Sequence, residues 1–391
     1  MMEIKASSRL SQFKTGIFTA LEEKRREVAA SGKEVFNFFV GTPDFIAPQN
    51  VIDTLSKYSS DGSTYGYTLS DIPELTDAVC AYYKKRYGVS IEPSEVTSVN
   101  GSQEGVGHVG MALCDEGDIA LLPNPGYPVF SAGAQLGGAE EYYYELRAEN
   151  NFLPKLDEIP EDILKRAKYM VVSYPSNPVC ATAPDEFYDE LITFAKKNDI
   201  IIIHDNAYSD IIYDGAVGGS FLAHEGAKDV GIEFFSLSKS FNLTGARVSF
   251  AVGNKKIIDA IKLLRSQYDF GIFLPIQMAA ITALTDDNTE FLKKQRENYQ
   301  ARRDALCDGL SSIGWNVPKS RGTMFAWLPI PEKFSSSEEF CFKLLDETGV
   351  FCTPGSSFGS LGEGYVRFAL TQDVETIHKA IKKIDESGIL K

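Results

Sequence analysis

Through the middle of the chain, short apolar runs alternate with longer stretches whose apolar residues recur every three or four positions. Six runs read as strands: EVTSVN (95–100), DIALL (118–122), YMVVSY (169–174), IIIIHD (200–205), EFFSLS (233–238) and RVSFAVG (247–253). IIIIHD shows no polar alternation, as expected of a strand covered on both faces. Between the runs lie helical patterns such as PDEFYDELITFAKKND (184–199), with the period of an amphipathic helix. This alternation predicts an α/β fold with a mostly parallel central sheet flanked by helices.

The same pattern suggests how the chain divides. The alternating elements predict a large domain over residues 46–290. TEFLKKQRENYQARRDALCDGLSSIG (289–314) then reads as a long, charged amphipathic helix suited to joining two domains. Beyond it, TMFAWLPI (323–330) and YVRFAL (365–370) read as strands with helices around them. That is an α+β pattern, predicting a smaller domain built from 291–391 and completed by an N-terminal helix within 1–45. A chain of 391 residues fits two domains.

Composition narrows the chemistry. A net charge of −15 argues against general nucleic-acid binding, which needs basic surface to displace counterions. No apolar run approaches the ~20 residues that span a bilayer, and the N-terminal stretch lacks a signal-peptide apolar segment, so a cytoplasmic location is expected. The six cysteines include no C-x-x-C pair, and the four histidines show no metal-ligand spacing. No metal is expected, and the chemistry should be organic.

In an open parallel sheet, ligands bind beyond the carboxyl ends of the strands, and here those ends carry a distinctive set of groups. After TSVN, the turn Gly101-Ser102-Gln103 opens a helix whose first N–H groups can hold an anion. PNPGYPVF presents Tyr127, and PSNP presents Asn177 between prolines. Asp205 ends the isoleucine run with Tyr208 three residues on, and Lys239 ends the EFFSLS run. Each has an ordinary reading: a helix cap, turn packing, a turn asparagine, a carboxylate in a solvated cleft, a solvated strand end. Their convergence favours a shared site. GVGHVG (105–110) matches a dinucleotide fingerprint, but its glycines come about five residues too late for the strand-to-helix turn. It also lacks an acidic residue ~20 positions on, so helix–sheet packing is the better reading of these glycines.

With these residues in place, the sequence resembles the class I/II aminotransferases of the pyridoxal-phosphate fold type I superfamily, from GTPDFIAP (41–48) to YVRFAL. The most specific motif is SLSKSFNLTGARVSFAVG, with YPSNP and HDNAYSDIIYDG in support. Among subgroups, the chain looks most like the branch containing aspartate and LL-diaminopimelate aminotransferases. The resemblance implies that Lys239 bonds the cofactor aldehyde, while Asp205 pairs with the protonated ring nitrogen. It further implies that Tyr208 and Asn177 hydrogen-bond the ring hydroxyl and that Tyr127 stacks on the ring. Gly101, Ser102, Gln103, Ser236 and Arg247 would hold the phosphate. Gly41, Asn177 and Arg367 would meet the substrate, with Arg367 as a bidentate fork on the α-carboxylate. A tyrosine of YGY, Tyr65 or Tyr67, would reach the partner's phosphate, which implies a homodimer with shared active sites.

The chain departs from the family pattern in three places. NPVCA replaces N-P-T-G after Asn177, Asp71 stands where glycine is usual, and Ser249 where glycine is common. The implied reaction is transamination between an L-amino acid, such as aspartate, glutamate or a diaminopimelate-like compound, and a 2-oxo acid. A β-lyase of the same fold cleaving a cysteine-derived substrate is the alternative. A non-enzymatic regulator module fits poorly with the acidic charge and the lack of a helix-turn-helix extension. A dicarboxylic substrate would want a second cation, for which Arg265, Lys262 and Arg321 are candidates.

Overall fold

The computed structural model describes residues 4–7, 10, 13 and 16–391, so part of the N-terminal helical pattern lies outside the described residues. A seven-stranded sheet runs in the order Val96–Val99, Ser249–Gly253, Gly231–Ser236, Ile201–Asn206, Ala167–Ser173, Ile119–Asn124, Glu140–Glu145. Every neighbouring pair is parallel except the two made by Ser249–Gly253, which runs against both its neighbours. Residues 237–248 explain the reversal. They form a one-turn helix and a 3-10 turn rather than a helix long enough to cross back over the sheet.

All six strands expected from the sequence are present. The seventh, Glu140–Glu145, was missed because EEYYYE has no apolar run. It lies at the sheet edge, pairs with one neighbour, and buries only Tyr144. EFFSLS also ends earlier than expected. The strand is Gly231–Ser236, and the Ser236 side chain then caps a helix, accepting from Ser238 N at 3.1 Å. Lys239 therefore sits on the one-turn helix Leu237–Ser240 rather than at a strand end.

The flanking helices follow local rules. Asp185–Asn198 begins after Pro184 with Asp185 and Glu186, and ends on Lys196 and Lys197 with Asp199 left-handed at φ 56°. Charges of each sign thus sit at the end of the helix dipole they favour. Phe187, Tyr188, Leu191, Ile192 and Ala195 form its buried stripe against the sheet. In the GVGHVG stretch, a side chain at Gly105 would strike Phe234 and Val99 of the sheet. One at Gly110 would instead strike Gly133 and Gly137 of the next helix. The glycines serve helix–helix as well as helix–sheet packing.

A second, smaller sheet orders Thr353–Pro354, Tyr365–Ala369 and Phe325–Pro329, all antiparallel, and Phe36–Asn37 pairs in parallel with Val350–Phe351. Its core includes Leu21 and Val28 of the helix Gly16–Ala30 together with Phe340, Trp315 and Phe368. The helix Thr289–Ser312 reaches both cores. Leu292 packs on the first, while Tyr299, Leu306 and Leu310 are buried in the second. Each fully buried apolar side chain contributes about 1.5–3 kcal/mol, so this helix is anchored chiefly in the second core, with the half-buried Leu292 resting against the first. A third core, with Val106, Ile203 and Phe234, fills the other face of the large sheet. Tyr208, Ile211 and Tyr213 belong to the second core, which brings it against the carboxyl ends of the parallel strands. Among the described residues, no helix is long and apolar enough to cross a membrane, and no group of side chains could hold a metal.

Candidate active site

At those carboxyl ends lies a cavity of about 340 Å³. Gly41, Ser102, Gln103, Tyr127, Asn177, Asp205, Tyr208, Ser236, Lys239, Arg247 and Arg367 all line it. Gly101 lies just behind the wall with φ +86°, where any side chain would collide with the Arg247 guanidinium. Tyr65 and Tyr67 do not line the cavity of their own chain. They are 62% and 91% exposed, and the Tyr65 hydroxyl donates to the Ser59 carbonyl at 2.8 Å. None of Arg265, Lys262 and Arg321 lines the cavity either. Arg265 is spent on Asp269, Ser98 and Phe270.

Lys239 donates from Nζ to the Gly41 carbonyl at 2.7 Å. Burial pushes its amine down to about 8, with Arg367 and then Arg247 adding to the shift. Arg247 is near in sequence, but folding also brings Arg367 close by and gives it the larger effect. Gly41 is glycine for a steric reason: a side chain there would enter the Phe325 ring.

Asp205 borders the cavity, but its Oδ1 is enclosed and has no hydrogen-bond partner. Burial pushes its carboxyl up to about 6, with His204 opposing and Glu233 reinforcing the shift. A buried carboxylate without a partner is costly, so this end of the cavity favours a cationic N–H. At the other end, Ser102 Oγ is buried without a partner. It lies at the N-terminus of the helix Ser102–Leu113, near Ser236 and Arg247. Arg247 holds a left-handed φ of 52°, and its Nη1 donates to the Thr244 carbonyl at 2.9 Å. That end favours an anion.

Arg367 is buried, stacked between Phe325 at 4.2 Å and Phe358 at 4.7 Å from the ring centroids. Its Nη1 donates to Asn177 Oδ1 at 2.8 Å, and its Nε is unpartnered. Burial pushes its pKa down, and an anion beside Nε would offset that cost. Tyr127 donates to Gln103 Oε1 at 3.4 Å.

The departures from the family pattern are absorbed locally. Ser249 Oγ lies 2.8 Å from Ser236 Oγ, Asp71 accepts from Ser98 N at 2.7 Å, and the loop after Asn177 closes by Cys180 N donating to Ser176 O at 2.8 Å. Sequence reasoning did not single out Phe325, Thr244, Val106 or Val129, which also line the cavity. Val106 belongs to GVGHVG, and Phe325 was read only as part of a strand. Apolar wall residues have no sequence signature that separates them from core.

The family described as aminotransferase class I and II matches residues 33–384. The chain is 43% identical over 383 residues to LL-diaminopimelate aminotransferase of Dehalococcoides mccartyi (strain CBDB1), covering 97% of this chain and 98% of that one. It is 43% identical over 387 residues to the protein of that name from Halothermothrix orenii, covering 98% of each. The solved structure of substrate-bound BacF from Bacillus subtilis aligns with a TM-score of 0.93 at 36% identity, covering 98% of each chain. Nothing in these matches supports the lyase alternative. With this breadth of agreement, the chain belongs to the class I and II aminotransferases of fold type I, and its reaction is amino-group transfer.

Proposed function

We infer that this chain transfers the amino group of LL-diaminopimelate, or a closely similar amino acid, to a 2-oxo acid in amino-acid biosynthesis, with pyridoxal phosphate in the cavity. The observation that carries the reading is the convergence of the Lys239 amine, the unpartnered Asp205 oxygen and the Arg367 fork on one cavity. The choice of substrate rests on the names of the relatives.

The donor set fits the cofactor. Asp205 would hold the proton on the ring nitrogen; Ser102, Gln103, Ser236 and Arg247, with the backbone at Gly101, would hold the phosphate. Asn177, whose Oδ1 is engaged by Arg367, keeps its Nδ2 for the ring hydroxyl beside Tyr208, and Tyr127 would cover the ring face. When bound, pyridoxal phosphate supplies an aldehyde that condenses with amines and a cationic ring that accepts the electron pair left by the departing α-proton. The protein's residues do the rest. Arg367 grips the substrate α-carboxylate with Gly41 alongside, and Lys239 Nζ removes and returns the proton. A pKa near 8 leaves a useful fraction of that amine neutral near pH 7.

The division into 46–290 and 1–45 with 291–391 is part of this proposal, supported by separate cores: Phe325 and Tyr208 of the second core and Val106 of the third, on the large sheet, all line the cavity. So is a homodimer with shared sites. Outside the chain's own cavity, Tyr67 packs edge-on to Phe270 and Tyr65 to Phe273, all four rings exposed along with Leu69, a surface suited to facing a second copy.

The test is a full cycle with purified protein and cofactor. LL-diaminopimelate and 2-oxoglutarate should give glutamate in equal amount to the donor consumed, from a species sedimenting at twice the 43.1 kDa chain mass. Ammonia and pyruvate from cysteine-type substrates, without an aminated product, would overturn amino transfer. Equal rates with alanine or aromatic donors would remove the diaminopimelate assignment, and a fully active monomer would remove the shared site.

A further inference from the structure

Two buried polar side chains share one face of the helix Thr289–Ser312, one meeting the Lys239 backbone and the other the segment after Gly41, and the chemistry above leaves them without a role. Gln295, 3% exposed, donates from Nε2 to the Lys239 backbone carbonyl at 2.7 Å and accepts at Oε1 from Asn242 Nδ2 at 2.9 Å. Arg302 lies seven residues further on, two turns along the same face and about 10 Å up the axis. Its Nη1 and Nη2 each meet an oxygen of Asp44 at 2.7 Å, Nη1 also donates to the Leu370 carbonyl at 2.9 Å, and the guanidinium covers the Phe45 ring at 4.5 Å.

Asp44 lies three residues beyond Gly41, whose carbonyl receives the Lys239 amine. The contacts therefore close a ring: from the helix through Gln295 to the Lys239 backbone, along its side chain to Gly41, and through Asp44 and Arg302 back to the helix. This one helix touches the first and second cores.

We propose that the helix face carrying Gln295 and Arg302 fixes the Lys239 turn against the 41–44 segment, with Gln295 positioning the proton-moving amine and Arg302–Asp44 positioning the substrate-binding segment. The proposal rests on the reading of Lys239 as that amine. The two ends should have different kinetic signatures. Gln295 holds the short helix Leu237–Ser240 by a main-chain atom, so its loss displaces the amine in the step where proton transfer occurs. A misplacement of ~1 Å at such a centre costs on the order of 10²-fold. The Arg302–Asp44 pair holds a segment that meets the bound substrate before any proton moves, so its loss weakens binding. Bidentate Arg–carboxylate geometry is not reproduced by lysine. A clasp that only joined the two cores would change stability and the fraction of competent sites, but not the constants of each competent site.

The experiment compares Gln295→Met, Asp44→Asn and Arg302→Lys with the parent as holoenzymes. For each it measures melting temperature, competent sites by borohydride fixation of the cofactor, and kcat and KM for the amino donor per competent site. Gln295→Met is expected to lose ~10-fold or more in kcat with KM within ~3-fold, while the other two raise KM ~10-fold with kcat within ~3-fold. If Arg302→Lys does not fold, Asp44→Asn still decides, because the Asp44 side chain is 38% exposed. Constants per competent site equal to the parent's, whatever the melting temperatures, would overturn the proposal. Fixation on a lysine other than Lys239, with the kinetic split intact, would overturn the amine assignment instead.

Discussion

Lys239→Ala is expected to reduce turnover by on the order of 10⁴-fold, about 5 kcal/mol of barrier, because both the covalent anchor and the proton-moving amine are lost. Cofactor binding should survive in weakened form, since the groups at Asp205 and at the Ser102–Arg247 end are untouched. In the parent protein, borohydride should fix the cofactor to the peptide containing Lys239, and an adduct on any other lysine would refute the assignment. The pH dependence gives an independent check. Burial, Arg367 and Arg247 hold the amine at about 8 rather than 10.5 in the cofactor-free chain, and only the neutral amine attacks an aldehyde. Reaction with added pyridoxal phosphate should therefore accelerate as pH rises through about 8 and level off above it. A midpoint near 10 would show that another amine reacts. The same depressed pKa means the folded chain binds fewer protons than the unfolded one between about 8 and 10.5. This group's contribution to stability accordingly rises with pH across that window.

Asp205→Asn should fold normally, because the exchange preserves shape and removes a buried carboxylate that has an unpartnered oxygen. Its cost should appear in catalysis, as a fall of about 10²–10³-fold in kcat at saturating cofactor, the scale for losing one preorganised electrostatic partner. The ring nitrogen would lose the anion that keeps it protonated, and with it the capacity to accept the electron pair. Because burial raises the Asp205 carboxyl to about 6, cofactor affinity of the parent should fall as pH drops through that value and the carboxylate is neutralised. The variant should lack this component and keep only the milder change from the cofactor phosphate, whose second pKa is also about 6. A near-parental rate at saturating cofactor, or an identical pH dependence in the two proteins, would refute the role.

Much of this site is written in local sequence because each group ends an element that the sequence specifies on its own. IIIIHD is short, β-branched and without polar alternation, which favours a covered strand with Asp205 near its end. The glycine at 101 can only be a turn, which leaves Ser102 to open a helix. Motif spacing puts Lys239 after one strand and Arg247 at the start of the next, whereas folding places both on the short return between them. By contrast, Arg367 looks like any polar residue in a strand until Phe325 and Phe358 enclose it, and the edge strand Glu140–Glu145 has no apolar signature because it buries almost nothing.

The sequence by itself determined six of the seven strands of the large sheet, their alternation with helices, and the candidate site residues, because period, turn residues and motif spacing act within a few residues. Tertiary structure alone decided which charges perturb which. Arg367 lies in the smaller sheet and Lys239 on the one-turn helix after a strand of the larger one, and only their meeting at the cavity makes Arg367 the first cation acting on the amine. It also decided that Gln295, an unremarked polar residue in a charged helix, meets the Lys239 carbonyl, and that Arg302 meets Asp44 across 258 residues of chain. Such contacts depend on how two cores pack around one helix, and pairwise burial over that separation leaves no periodic trace in the chain.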